Sequence, residues 1–163
     1  MSSTPLDISS YAFTRHIRVA ARPDQVYDLV STVSNISKWS PNALHAEYED
    51  GAGPRAGAWF RGRNQGSGRQ WESRSQVTVA EPGAVFAFTV LGSASVPVVE
   101  WRWTFTAHGS GTLVAQTWRL LVADPVLGST HEDLDRLRDT TVDGVEATLT
   151  SLADWVADNV TAR

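Results

Sequence analysis

The 163-residue chain contains no cysteine. This absence excludes disulfide bonds, thiolate zinc sites, iron–sulfur clusters and cysteine nucleophiles. No window approaches the roughly 18 apolar residues that a membrane-spanning helix needs. The first ten residues have neither the basic start nor the apolar segment of a signal peptide. We therefore expect a cytoplasmic protein without a membrane span.

Excess positive charge is also absent, because the formal net charge is −4. Arginines are frequent between positions 55 and 74, but acidic residues occur in the same part of the chain, at Glu47, Glu49, Asp50 and Glu72. A protein without a net basic face does not attract polyanions. We therefore expect no nucleic-acid partner.

Motifs for metals and cofactors are missing as well. The histidines at positions 16, 45, 108 and 131 show no metal-ligand spacing, and we interpret them as surface residues. Neither a nucleophile elbow nor a phosphate-binding loop motif occurs, and the glycines within 51–57 and 62–68 are interpreted as loop residues. We expect neither a metal site nor a cofactor, and we assign no catalytic residue.

Tryptophan, by contrast, is abundant. The chain has seven tryptophans within an otherwise ordinary globular composition of 42% hydrophobic and 20% charged residues. That is more large aromatic surface than a minimal core needs. The tryptophans either fill the core or line a binding site.

Residues 11–121 show strand and turn patterns in succession. Tyr11–Ala20 alternates as a first strand, and Pro23 then opens a short helix that ends before Pro41. Further strands are predicted over Leu44–Glu49, Ala58–Asn64, Gln70–Ala80, Val85–Leu91, Val98–Ala107 and Thr112–Leu121. The connections, including turns at 66–68 and 81–83, have hairpin length, which predicts an antiparallel meander.

The last thirty residues change to helical periodicity. Ser129 and Glu132 match a capping box, and apolar residues recur at helical spacing from Leu134 to Val156. This predicts a helix of about seven to eight turns. Its apolar face must be buried, and the sheet is the surface large enough to bury it.

The middle of this helix is narrow, because Gly144 lies between Thr141, Val145 and Thr148. A mid-helix glycine costs about 1 kcal/mol relative to alanine, so a packing benefit should offset it. Either the sheet approaches closely at Gly144, or the small residues leave room for a ligand.

The two-residue period of the strands places aromatic and polar side chains on common faces. One such face carries Trp71, Ser73, Ser75, Val77 and Val79. A concave wall of Trp, Phe, Ser and Gln is typical of a ligand pocket, although the rings could also simply pack against the helix. The predicted ligand-binding residues are Trp39, Phe60, Asn64, Trp71, Ser73, Ser75, Phe86, Phe88, Trp101, Trp103, Gln116, Trp118, Thr141, Gly144, Val145 and Thr148.

Several short motifs, in their order and spacing, resemble one protein family. They are PDQVYD at 23–28, WSP at 39–41, DGAGP at 50–54, GAWFRGRN at 57–64, AEPG at 80–83, the Trp101–Trp103 strand, and GVEATL at 144–149. Together they resemble the START-like, birch-pollen-allergen-like helix-grip superfamily, and within it the polyketide cyclase/dehydrase family of bacterial proteins. The resemblance implies a single α+β domain over residues 1–163. It also implies six or seven antiparallel strands, two short helices after the first strand, and a long C-terminal helix gripped by the curved sheet.

The resemblance also implies a ligand. Members of the superfamily bind lipids, sterols, polyketides or plant hormones between the sheet and the helix, and some catalyse cyclisation or dehydration there. In the aromatase/cyclases an inward arginine lies four residues beyond the tryptophan of the fourth strand. Ser75 has that place here, counted from Trp71, while Arg74 has the opposite parity and should face outward. This departure argues against polyketide cyclisation.

Three functions remain open at this point. The favoured one is binding of a small hydrophobic molecule, such as a lipid, a polyketide or an aromatic metabolite. The second is a cofactor-free cyclase or dehydratase that uses polar residues, Tyr48 among them, although no general base stands out. The third is a partner-binding domain whose own side chains fill the pocket. Asp139 and Asp143 are interpreted as a solvated helix face, and Glu100 and Arg102 as an ion pair on the outer sheet face. Both a monomer and a homodimer are compatible with the sequence.

Overall fold

An antiparallel sheet forms the frame of the molecule. The computed structural model describes residues 6–66 and 68–160, and within them the sheet has seven strands in the order β1-β7-β6-β5-β4-β3-β2. Neighbouring strands are antiparallel throughout, which confirms the predicted meander and the α+β class. The strands are β1 (Ala12–Val19), β2 (Ala43–Tyr48), β3 (Trp59–Gly66), β4 (Arg69–Glu81), β5 (Val85–Leu91), β6 (Pro97–His108) and β7 (Gly111–Leu120).

Two short helical segments follow β1, as the family resemblance implied. Helix α1 spans Pro23–Ser31 with its proline in the first turn, and a 3-10 helix spans Val33–Lys38. Val26, Tyr27 and Val30 form the buried face of α1. This face packs against the sheet at β5 and β6.

The long C-terminal helix, α2, spans His131–Asn159 and is about 44 Å long at 1.5 Å per residue. The predicted length is confirmed, but the predicted capping box is wrong by one residue. The Asp133 amide donates to Thr130 Oγ1 over 3.1 Å, and the Thr130 amide donates to the Asp133 carboxylate over 3.3 Å. The Ser129 amide also donates to that carboxylate, whereas Glu132 is exposed and pairs with Arg136. None of the described helices is long and apolar enough to cross a membrane.

Strand β4 contains a bulge that the alternation pattern did not reveal. Val77 lies opposite Phe88, and Ala80 lies opposite Phe86, so the strand gains one residue between them. The prediction that Val79 shares the face of Ser75 and Val77 is therefore wrong, and Ala80 has that position instead.

The β3–β4 hairpin extends beyond the neighbouring strand. β4 pairs with β5 only from Ser75 onward, whereas its preceding residues pair with β3 alone. We call the inner face of this extension, formed by Gly62, Asn64, Gly66, Trp71 and Ser73, the hairpin end. The predicted turn at 66–68 includes Ser67, which lies outside the described residues.

The apolar interior is divided into two clusters. The larger, which we call the α1-side cluster, joins α1 and the middle of the sheet to the C-terminal half of α2, and includes Val26, Phe86, Phe105, Leu152 and Val156. The smaller, which we call the β6–β7 cluster, lies toward the start of α2. Its buried members are Tyr11, Val98, Val99, Trp118, Leu120 and Leu134.

Candidate functional site

Polar side chains lie where the two clusters meet. Gln116 is 7% exposed and lies on β7 between Val114 of the α1-side cluster and Trp118 of the β6–β7 cluster. Thr141 has the corresponding place on α2, between Leu137 and Val145. Ser75, at 3% exposed, lies on β4 opposite Val90, which packs against both clusters, and Thr148 is a buried polar residue of α2 beside Leu149. We call Ser75, Gln116, Thr141 and Thr148 the polar band.

Packing along this boundary is incomplete. Phe13, Val90 and Trp101 contact both clusters, yet each is only partly buried although it lies on the inner face of its strand. Trp101 belongs to a central strand and lies directly opposite Phe88 and Trp118, which are both buried. A ring in that position is normally covered completely when a helix packs tightly over a sheet. The inner face therefore retains accessible surface next to the polar band.

Gln116 carries a buried atom without a hydrogen-bond partner. Its Oε1 is the one side-chain atom of this kind among the residues that the structure describes. The residue opposite Gln116 on β1 is Arg15, whose Nε donates to Glu146 Oε1 over 3.2 Å and whose Nη1 donates to the Thr14 carbonyl over 3.0 Å. Buried polar atoms in proteins are nearly always paired, so this carbonyl requires an explanation.

The two threonine hydroxyls of the polar band donate hydrogen bonds to carbonyls of their own helix. Thr141 Oγ1 donates to the Leu137 carbonyl over 2.6 Å, and Thr148 Oγ1 donates to the Gly144 carbonyl over 2.7 Å. A hydroxyl that donates once keeps two lone pairs, so both groups still accept hydrogen bonds.

Tyr48, which the sequence offered as a ligand contact, has a structural role instead. Its hydroxyl donates to the Ser31 carbonyl over 2.7 Å and so joins β2 to the end of α1. Burial raises the pKa of Tyr48 far above that of an exposed tyrosine, because ionisation would place a charge in the interior.

The helix waist at Gly144 is close to a loop rather than to the sheet. A Cβ atom built on Gly144 would lie 3.3 Å from Asn42 Nδ2, in the segment just before β2. The prediction that the sheet approaches closely at Gly144 is therefore wrong. A close approach exists, but it is made by the loop residue Asn42. No pattern in the sequence indicated that Asn42 would be this neighbour.

The hairpin end is the most exposed part of the inner face. Trp71 is 46% exposed, and Ser73 and Asn64 are half-buried, with Asn64 Nδ2 donating to Ser73 Oγ over 3.0 Å. Gly62 and Gly66 belong to β3 and are not loop residues, which corrects the sequence interpretation. A Cβ on Gly62 would lie 2.9 Å from Ser73 Oγ, and one on Gly66 would lie 3.4 Å from the Trp71 ring. The two glycines thus give the Ser73 and Trp71 side chains room to lie on the inner face.

The described surface has open depressions at the hairpin tip and beside the first described residues. One, of about 430 Å³, lies at the hairpin tip and is lined by Pro41, Asn42, Gln65, Gly66, Gly68, Arg69 and Gln70. Because Asn42 also lies beside Gly144, this depression is close to the middle of α2. The other, of about 570 Å³, lies between residues 6–9 and residues 119–121. Neither of the two is an enclosed chamber beneath α2.

The structure divides the predicted ligand-binding residues into three groups. Seven are packed into the clusters, namely Trp39, Phe60, Phe86, Phe88, Trp103, Trp118 and Val145. Three are buried and polar: Ser75, Gln116 and Thr148. Six retain accessible surface, namely Asn64, Trp71, Ser73, Trp101, Thr141 and Gly144. Phe13 and Val90 also retain accessible surface on the inner face. They were not among the predicted ligand-binding residues, although the alternation of β1 and β5 placed both on inward faces.

The outer face of the sheet carries ion pairs. Arg74 faces outward as predicted, lies 3.8 Å from the centre of the Trp59 ring and donates to Glu49 over 2.8 Å and 3.1 Å. Hydrogen bonds from Arg74 and Arg61 lower the pKa of Glu49. Glu100 pairs with Arg119 across the strands rather than with Arg102, so that predicted pair is wrong.

A family model described as polyketide cyclase/dehydrase and lipid transport matches residues 11–156. None of the curated proteins compared with the chain is significantly similar in sequence. The solution structure of a polyketide-cyclase-like protein from Corynebacterium glutamicum, Cgl2372, shares 29% identity with a TM-score of 0.64. That match covers 91% of this chain and 94% of the other.

More distant structures share the fold. One domain's length of StfQ, a di-domain aromatase/cyclase from the steffimycin biosynthetic pathway, matches with a TM-score of 0.72 at 16% identity, covering 91% of this chain and 51% of that one. Ara h 8.0201 matches with a TM-score of 0.67 at 12% identity, covering 91% and 98%. At these identities the likeness shows the helix-grip fold.

Proposed function

The chain belongs to the polyketide cyclase/dehydrase and lipid transport family, and on this premise we propose that it binds a small hydrophobic molecule between α2 and the inner face of the sheet. A lipid, a polyketide and an aromatic metabolite all have suitable chemistry. Ligand pockets are mostly apolar with a few placed polar groups, which is the composition of the boundary between the two clusters.

The observation that carries this proposal is the incomplete packing of the inner face. Trp101, Phe13 and Val90 keep accessible surface although they lie on the inner face of the sheet and pack against both clusters. A fully self-filled domain, the third hypothesis from the sequence, would cover these side chains. Apolar surface that stays accessible gains free energy when a ligand covers it, by about 25 cal/mol per Å².

The hairpin end provides a route to this surface. Trp71, Ser73 and Asn64 continue the inner face outward, and Asn42 and Gly144, which lie beside each other, form the opposite side of the proposed entrance. The depression at the hairpin tip lies beside it. A ligand approaching here first meets the exposed indole of Trp71.

The cyclase alternative is less well supported. The polar band consists of neutral amide and hydroxyl groups, none of which titrates near neutral pH. Ser75 occupies the place where the aromatase/cyclases have an inward arginine, and Arg74 is engaged by Glu49 on the outer face. Positioning of a reactive chain without acid–base catalysis is the contribution that these groups can make.

The test is a matched pair of helix variants. Thr141 faces the polar band and is half-buried, whereas its neighbour Thr140 is exposed. The native protein should bind the fluorescent dye 1-anilinonaphthalene-8-sulfonate and release it when fatty acids or aromatic compounds compete. Thr141→Phe should fill the space and weaken binding about tenfold or more, while Thr140→Phe should leave it unchanged. The proposal fails if the native protein binds neither the dye nor any competitor, or if both variants bind as the native protein does.

A further inference from the structure

Gln116 is the buried group that the fold itself leaves unexplained. We infer that its Oε1 accepts a hydrogen bond from the bound ligand, and that the ligand is a flat ring compound carrying a hydroxyl or N–H donor. The inference rests on the proposed ligand-binding function and adds to it the chemical class of the ligand.

The first step is the position of the unpaired atom. Gln116 lies on the inward face of a central strand, at the boundary of the two clusters, and is more than nine-tenths buried. Its Oε1 has no partner within the described residues. An unpaired buried acceptor destabilises a protein, and a donor brought by a ligand removes that penalty.

The second step is that the charged donor opposite Gln116 is already engaged by other acceptors. Arg15, directly across on β1, is held by Glu146 of α2 and by the Thr14 carbonyl. The Arg15–Glu146 pair thereby ties β1 to the helix and leaves Gln116 Oε1 free.

The third step is the hydrogen-bonding character of the space. The hydroxyl protons of Thr141 and Thr148 are donated to helix carbonyls, so these oxygens present lone pairs to any neighbour. With Gln116 Oε1 they make three acceptors within the polar band. These acceptors can pair with a donor on the ligand, and the Gln116 amide N–H groups and the Ser75 hydroxyl can donate to its oxygens.

The fourth step concerns the shape of the ligand. Trp103 lies directly opposite Gln116 on β6, and Trp118 is its next same-face neighbour along β7. Trp101 lies opposite Trp118, within diagonal reach of Gln116, and keeps accessible surface. Trp103 and Trp118 are themselves packed into the clusters, so Trp101 is the indole that can stack on a flat ring, whose edge then carries the polar group.

The experiment compares 2-naphthol with 2-methoxynaphthalene, which has the same rings and an oxygen that cannot donate. Dissociation constants are measured by calorimetry for the native protein, for Gln116→Met, and for the control Gln76→Met, whose glutamine lies on the outer face and donates to the Gly57 carbonyl. In the native protein the naphthol should bind more tightly than the ether. Gln116→Met should reduce the naphthol preference about tenfold, and Gln76→Met should leave it unchanged.

Different failures have different meanings. If neither naphthalene nor the dye binds the native protein, the proposed function fails and the inference with it. If ligands bind but the naphthol is not preferred, or if the preference survives in Gln116→Met, only the inference is overturned. The comparison within the native protein decides the matter even if Gln116→Met does not fold, and thermal unfolding of each variant checks that it does.

Discussion

One strand passes through two very different environments on the same face. In β4, Val77 is 1% exposed within the α1-side cluster, whereas Trp71, six residues earlier, is 46% exposed at the hairpin end. The larger and more hydrophobic side chain is the less buried one. The two residues differ in the elements that cover them. Val77 lies in the cluster with α1 and the C-terminal half of α2, whereas Trp71 lies where the hairpin extends past β5. Burial in this fold is decided by the helices, and the strand pattern merely sets the face.

The largest effect that separates the two regions should be on stability. Phe86 is 1% exposed, meets the Tyr27 ring edge-on and packs against the tilted Phe88 ring, so Phe86→Ala should lower the free energy of unfolding by about 3–5 kcal/mol. Trp71→Ala removes a larger ring from the hairpin end and should change the free energy of unfolding by less than about 1 kcal/mol. Urea denaturation measures both values.

For ligand binding, Trp71→Ala should have a larger effect than its small effect on stability would suggest. Trp71→Ala should weaken dye binding, because the indole forms part of the route to the inner face. A loss of stability in Trp71→Ala as large as that in Phe86→Ala would show that the two regions are not distinct.

A smaller effect should be found at the joint between β2 and α1. Tyr48→Phe removes the hydrogen bond to the Ser31 carbonyl and should cost about 1–2 kcal/mol near pH 7. Burial raises the pKa of Tyr48, so the folded state holds the proton when the unfolded chain begins to lose it near pH 10. The contribution of the tyrosine to stability is therefore full below about pH 10 and declines as the pH rises further.

The pH dependence gives this prediction its control. Above pH 10 the native protein should lose stability more steeply than Tyr48→Phe, so the difference between them should narrow. Denaturation curves between pH 7 and 11 measure it. Parallel pH profiles for the two proteins would contradict the assignment of the raised pKa to Tyr48.

The sequence predicted the faces of the strands well, because alternation depends on local geometry alone. It placed Ser75, Gln116 and Trp103 inward and Arg74 outward, and each lies there. Alternation contains no information about the helix that covers a face. It therefore could not separate the buried Trp103 from the accessible Trp101, two residues away in the same strand.

Other predictions were wrong where one sequence pattern is compatible with two local structures. The segment from Ser129 to Asp133 contains two overlapping capping-box patterns, and the helix uses the second, from Thr130 to Asp133. Thr78 is a good strand former, so its insertion as a bulge left no mark in the sequence. Glu100 pairs with Arg119 because register across strands, which parity does not specify, brings them opposite.

The smallest effect concerns the helix waist, where the two regions meet. Gly144→Ala should raise the free energy of unfolding by about 0.5–1 kcal/mol, since alanine is the better helix former. The added methyl would come within 3.3 Å of Asn42 Nδ2, and Asn42 is an exposed side chain that can shift by a few tenths of an ångström. If the gap beside Gly144 is the way in for ligands, the same variant should slow dye association measured by stopped flow, whereas Ala147→Gly on the exposed side of α2 should not. A Gly144→Ala protein that is less stable than the native one would mean that Asn42 is held firmly, and that the waist is a packed contact rather than the side of an opening.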